Sequence, residues 1–134
     1  MKEPKWLGLR MALAIHAEAS AMFGGLAGVR DQGLLESALD RPRNLLAYEP
    51  EAGLFSMAAA LCHGIVKNHP FLDGNKRTGV LCTRAFLFLN GWDFEPEEPD
   101  EVETIVALAA GRLDQPMLAE WLEANSARLK KPNR

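Results

Sequence analysis

The chain is poor in the features that announce a protein's chemistry by composition. It has only two cysteines, Cys62 and Cys82, both in apolar helical surroundings. That argues against a disulfide framework and predicts buried free thiols in a reducing compartment. No run approaches the roughly 18 apolar residues that a membrane span needs. Lys2, Glu3 and Lys5 precede a segment broken by Arg10, His16 and Glu18, so no secretory leader is expected and the protein is expected to be cytoplasmic. The net charge of −3 carries no basic excess, which argues against direct nucleic-acid binding. A Gly-x-x-x-x-Gly-Lys-Ser/Thr motif is missing, so a P-loop is not the route to a nucleotide. Strand-period runs are missing too, apart from a short one at Trp92-Asp93-Phe94, as are internal repeats and any dividing linker.

What is present is an ordinary globular balance of 48% apolar and 25% charged residues over 134 positions, read as one domain spanning residues 1–134. Helical spacing runs nearly throughout. Trp6, Leu9, Leu13, His16, Ser20 and Phe23 mark one face of a first helix, closed by Gly24-Gly25. Asp31 is placed to N-cap a short helix with Leu34, Leu35, Ala38 and Leu39, which Pro42 is expected to stop. The segment around Tyr48-Glu49-Pro50 reads as a loop. Leu54, Ala58, Leu61, Ile65 and His69 form the stripe of a second long helix, which would deliver His69 to its C-terminal end on the buried side.

A helix then restarts at Gly74 and runs to Asn90-Gly91. Its second half is apolar almost all round, as expected of a central helix covered by others. Val102, Ile105, Val106 and Ala109 indicate another helix ended by Gly111. Pro116 opens the last one, with Leu118, Trp121 and Leu122 inward. Residues 128–134 read as a flexible basic tail. The expected architecture is an all-α, single-domain bundle around a buried central helix.

Between two of these helices stands His69-Pro-Phe-Leu-Asp-Gly-Asn-Lys-Arg-Thr-Gly79. His69 is the one side chain there that exchanges protons near neutral pH, as a general base for a hydroxyl must. Asp73 is a carboxylate suited to magnesium, which binds through one or two carboxylates plus substrate phosphates. Gly74 permits close approach of an anion. The backbone N–H groups of Gly74, Asn75 and Lys76 at a helix start, with the charges of Lys76 and Arg77, make a phosphate cradle. Phe71 is expected to pin the loop. His16 is expected to be a hydrogen-bonded core residue, and the seven acids from Asp93 to Glu103 a solvated face. Cys62, His63, His69 and Cys82 fit no structural zinc spacing.

The segment resembles the signature of the Fic/Doc superfamily, His-Pro-Phe-x-(Asp/Glu)-Gly-Asn-(Gly/Lys)-Arg. Lys76, where the AMP-transferring Fic branch usually has glycine, is closer to the death-on-curing (Doc) branch of toxin–antitoxin toxins. Val80 stands where the Fic branch usually has a second arginine, while Pro70 and Gly74 look more like the Fic consensus. Gly24 through Leu39 with Arg41-Pro42, and Ala107 through Leu122, extend the resemblance over roughly the whole chain. It implies an all-helical Fic/Doc-like fold that binds ATP and magnesium. It further implies a kinase that passes the γ-phosphoryl group to a hydroxyl of a translation factor, elongation factor Tu, and so arrests translation. On matching positions His69, Asp73 and Arg77 would be catalytic. Asp73 would hold magnesium, and Gly74, Asn75, Lys76 and Arg77 would bind the nucleotide. A cognate antitoxin is implied, with a disordered C-terminal segment folding into a groove between the first helix, carrying Leu9, Leu13 and His16, and the helix start near Lys76. The alternatives are a Fic-type AMP transferase and a nucleotide-binding module without turnover.

Overall fold

The computed structural model describes residues 3–130. Among them the chain forms α1 (Leu9–Phe23), α2 (Gln32–Tyr48), α3 (Leu54–Asn68), α4 (Asn75–Leu89), β1 (Trp92–Phe94), α5 (Glu98–Ala109), α6 (Gln115–Ala124) and β2 (Ser126–Arg128). The fold is all-α, with one small antiparallel ribbon that pairs Trp92 with Arg128 and Phe94 with Ser126.

Asp31 caps α2 as its position predicts, its side chain accepting from Leu34 N–H at 3.0 Å. Pro42 does not stop that helix. It lies buried inside α2, which continues to Tyr48. Proline removes one helix hydrogen bond, but here tertiary packing outweighs the loss. α2 presses so closely on α3 that a Cβ on Gly64 would stand 3.2 Å from Ala38 Cβ and 2.8 Å from Arg41 Cδ.

The central helix is α3 rather than α4. From Met57 to Val66 every residue of α3 except His63 is buried, with α2, α4, α5 and α6 packed around it. α4 shares a tight seam with it, where a Cβ on Gly79 would come within 2.9 Å of Val66 Cγ2. On the far side of α4, however, Leu81 and Ala85 are only half-buried and Phe88 is 60% exposed. The apolar second half of this helix therefore serves two ends, a core contact and the wall of an open groove.

The acidic stretch is partly helical. Glu98, Asp100 and Glu101 occupy the first turn of α5, where negative charge opposes the positive end of the helix dipole. Glu101 also pairs with Arg84 at 3.3 Å, and Asp100 accepts from Trp121 Nε1–H at 2.8 Å, joining α5 to α6. The first residues expected in the basic tail are held by the fold. Arg128 belongs to β2 with its guanidinium over the Trp92 ring, and Leu129 N–H donates to Gly91 O at 2.9 Å. Lys131 to Arg134 lie outside the described residues. Cys62 and Cys82 are buried free thiols, each pushed up to about 12 by burial, and hence unreactive as thiolates near neutral pH. No helix among the described residues is long and apolar enough to cross a membrane.

Candidate active site

α3 ends at Asn68, and His69 turns the chain by adopting a left-handed conformation, φ 51° and ψ 53°. It is the only non-glycine residue at positive φ among those described. This swings its ring off the buried stripe of α3, so His69 is exposed rather than buried as its spacing suggests. A left-handed histidine is uncommon and needs outside support. Arg30 supplies it from the α1–α2 loop. Its Nε donates to His69 O at 2.7 Å and its Nη2 to Asn68 O at 3.0 Å, satisfying the last carbonyls of α3 with a cation.

The same loop straps the motif in place. Arg30 and Asp31 N–H donate to Pro70 O at 2.8 and 3.0 Å, Leu72 N–H donates to Gly28 O at 3.1 Å, and Val29 bridges Phe71. Phe71 is buried as expected and stacks on the His16 ring, centroids 3.9 Å apart. His16 is the hydrogen-bonded core histidine its position predicts. Its Nε2–H donates to Asp73 O at 2.9 Å, fixing the peptide just before Gly74.

Asp73 and Gly74 form the turn into α4. Gly74 sits at φ 75°, a left-handed position that favours glycine. Its N–H does not stay free for an anion, because it donates to Asp73 Oδ1 at 2.9 Å. Asp73 Oδ2 faces the other loop, where a Cβ on Gly25 would come within 2.8 Å. Only glycine at position 25 lets the two loops approach around this carboxylate.

Asn75 is fixed by its side chain. Its side chain does not reach outward to a ligand but is buried and spent on the loop. Oδ1 accepts from Phe71 N–H at 2.9 Å, while Nδ2 donates to Phe71 O at 3.0 Å and approaches His69 Nδ1 at 3.3 Å. What Asn75 offers the cleft is its backbone N–H. Together with those of Lys76 and Arg77 it has no acceptor among the described residues, and α4 has no side-chain cap. Lys76 and Arg77 are both exposed, and the Arg77 guanidinium rests over the Phe23 ring at 4.5 Å.

These residues surround an open cleft of about 390 Å³ lined by Phe23, Gly24, Gly25, His69, Leu72 and the continuous run Asp73–Arg77. His69, Asp73, Gly74, Asn75, Lys76 and Arg77 are thus brought together. Arg30, His16 and Gly25, which hold them there, lie far away in sequence. The only signal for these three was their place in a glycine-rich loop and on an apolar stripe. A second, apolar groove of about 460 Å³ meets the cleft at Phe23 and runs between α1 and α4, with Ile15, Ala19 and Met22 opposite Leu81, Ala85 and Phe88. Its α1 wall is Ile15, Glu18, Ala19, Met22 and Phe23 rather than Leu9, Leu13 and His16.

No group of three or more histidine, cysteine or acidic side chains converges among the described residues. Asp73 is therefore a lone exposed carboxylate beside an anion-receptive helix start. That donor set fits magnesium shared with phosphate oxygens, not a zinc cage.

A family model described as the Fic/DOC family matches residues 6–87. The chain is similar to the protein called Toxin Doc from Mycolicibacterium smegmatis, 36% identical over 100 residues that cover 71% of this chain and 77% of that one. It is similar to Protein kinase doc of Escherichia phage P1 at 30% identity over 110 residues, 82% of this chain and 86% of that one. A shorter match, 40% identical over 55 residues, covers 40% of this chain and 38% of a Fido domain-containing protein of Dictyostelium discoideum.

Proposed function

The chain belongs to the Fic/DOC family, and on that premise we propose that it is a Doc-type toxin that transfers the γ-phosphoryl group of ATP to a hydroxyl of a protein substrate. The observation that carries this reading is a histidine exposed at the mouth of a cleft whose floor is an uncapped, cation-bearing helix start. A site that only bound anions would not need the base. The names of two relatives, a toxin and a protein kinase, support the same direction.

In this reading the unpaired N–H groups of Asn75, Lys76 and Arg77 and the two cationic side chains grip the polyphosphate. A magnesium ion held by Asp73 would neutralise charge on the phosphates. His69 accepts the proton of the attacking hydroxyl as the new O–Pγ bond forms and the bond from Pγ to the β–γ bridging oxygen breaks, ADP leaving with that oxygen. Such catalysis rests on positioning, which explains why a buried amide, a strap and an arginine are committed to holding one loop. The substrate proposed is a translation factor of the elongation factor Tu type, in the cytoplasm, with growth arrest as the consequence.

An enzyme of this kind needs restraint by a cognate antitoxin. The apolar groove between α1 and α4 is the surface for its disordered C-terminal segment, because it leaves Phe88 and Met22 exposed and meets the cleft at Phe23. One experiment tests the reading: incubation with magnesium, translation factors and ATP labelled at either the α or the γ phosphate. Label from γ on protein supports phosphoryl transfer. Label from α replaces it with AMP transfer, the activity suggested by Pro70 and Gly74. No label with any factor removes the enzyme reading.

A further inference from the structure

The Asn75 amide is buried and cannot be turned around. With Oδ1 accepting from Phe71 N–H and Nδ2 donating to Phe71 O, reversal would set donor against donor and acceptor against acceptor in a buried loop. The second hydrogen of Nδ2 is then directed at His69 Nδ1, 3.3 Å away. A ring nitrogen that accepts a hydrogen bond holds its lone pair there, so in the neutral imidazole the proton sits on Nε2. Nε2 has no protein partner among the described residues, and the ring lines the cleft.

We infer that Asn75 holds resting His69 in its Nε2–H tautomer, which donates toward the cleft and cannot take a proton there. This deepens the proposed function and rests on reading His69 as the base. The base-competent neutral form carries its lone pair on Nε2. Reaching it requires Nε2 to release a proton to water and Nδ1 to take one from water, with no net change. Nδ1–H would then face the Nδ2–H of Asn75, donor to donor, so the contact must break when a hydroxyl substrate enters. Asn75 is thus a positioning residue acting through His69. It keeps the base disarmed while the cleft is open to water, which limits wasteful hydrolysis of ATP without a protein acceptor.

The test is the tautomeric state of His69, read by nitrogen-15 NMR from the long-range couplings of the ring in the full chain. The pH is kept mildly alkaline, where imidazole is neutral, with neither ATP nor substrate present. The His69→Gln variant identifies which ring signals vanish. The expected wild-type result is a protonated Nε2 and an unprotonated Nδ1, and an Nδ1–H ring would overturn the inference. In Asn75→Asp, whose carboxylate can only accept, the major tautomer should reverse. In Asn75→Ala the excess of Nε2–H should fall to that of free imidazole. A wild-type tautomer ratio in either folded variant would remove Asn75 from the role. Because nothing is transferred in this measurement, its failure leaves the kinase reading intact, and an enzyme that transfers nothing would still show the tautomer.

Discussion

α5 begins with Glu98, Pro99, Asp100 and Glu101, while α4 begins with a left-handed glycine followed by Asn75, Lys76 and Arg77. In α5 the proline preorganises the first turn, and the acids meet the positive end of the helix dipole. α2 and α6 are finished in a related way, with Asp31 and Asp114 accepting from Leu34 and Met117 N–H. α4 alone combines a missing side-chain cap, no acid in its first turn and two cations placed against its own dipole. Each such cation forgoes about 0.3–1 kcal/mol of local stability. Packing on α3 makes α4 stable enough to bear this, and the first N–H groups of α4 stay without an acceptor among the described residues. The α1 and α3 starts also lack a side-chain cap and an acid, but only that of α4 carries two adjacent cations, as the phosphate site of the proposed function would need.

The largest effect expected from breaking this arrangement is loss of the proposed base. His69→Ala should lower transfer roughly 10²–10⁴-fold with little change in thermal midpoint, since the ring is exposed. Normal growth arrest from a mutant expressed at wild-type level would refute the role.

Lys76→Glu makes α4 resemble α5. Loss of one charged hydrogen bond to phosphate, about 1.5–3 kcal/mol, should weaken ATP binding roughly 10–100-fold. The helix itself should gain about 0.3–1 kcal/mol, so calorimetric binding and thermal unfolding should move in opposite directions. If neither moves, Lys76 is only a solvated surface charge.

Phe23→Leu keeps an apolar side chain but removes the ring under Arg77. With about 0.5–1 kcal/mol at stake in an exposed cation–π contact, ATP affinity should change roughly 2–5-fold and the fold should not. An Arg77→Ala background in which Phe23→Leu has the same effect would show that the two do not cooperate.

Glu98→Lys gives α5 the pattern of α4. A loss of about 0.3–1 kcal/mol should appear as a small drop in thermal midpoint with transfer changed little, because Glu98 lies outside the cleft at His69 and shares only a neighbouring groove with Lys76 and Arg77. Reduced transfer at equal stability would contradict that separation.

The smallest effect lies away from both helix starts. His63 has a buried Nδ1 without a partner, and desolvation, followed by the nearby charges of Arg41 and Lys67, holds its pKa below the ordinary value near 6.5. The neutral ring is the form compatible with the fold. Its contribution is therefore complete above about pH 6.5 and declines as the pH falls, because the unfolded chain then binds the proton first. Thermal midpoints of His63→Gln should fall less between neutral and mildly acidic pH than those of the wild type, and parallel curves would show that His63 is not responsible.

The candidate site was legible in sequence because its chemistry is contiguous. His69, Asp73, Lys76 and Arg77 lie within one short segment, and the apolar helices on either side announce a loop leading into a helix start. The supports were not legible, since Arg30 bonds His69 across 39 positions and His16 bonds Asp73 across 57. The Asn75 side chain was not legible either. The residue's backbone N–H at a helix start can be read locally, whereas only the folded loop shows that its side chain is taken up by Phe71 and His69. Pro42 and the apolar half of α4 show the limits of local rules. A proline's cost is overridden by close packing, and an all-round apolar helix can line a groove as well as a core.

By itself the sequence determined the helices, their dominant periodicity and the order of reactive groups, because these depend on backbone propensity and on side chains a few residues apart. The tertiary structure alone decided that α3 rather than α4 is central, that His69 faces the cleft instead of the core, and which nitrogen its neighbours leave free. Those outcomes depend on which distant surfaces fill one another's space and which buried polar atoms find partners. Neither is fixed until the chain has closed on itself.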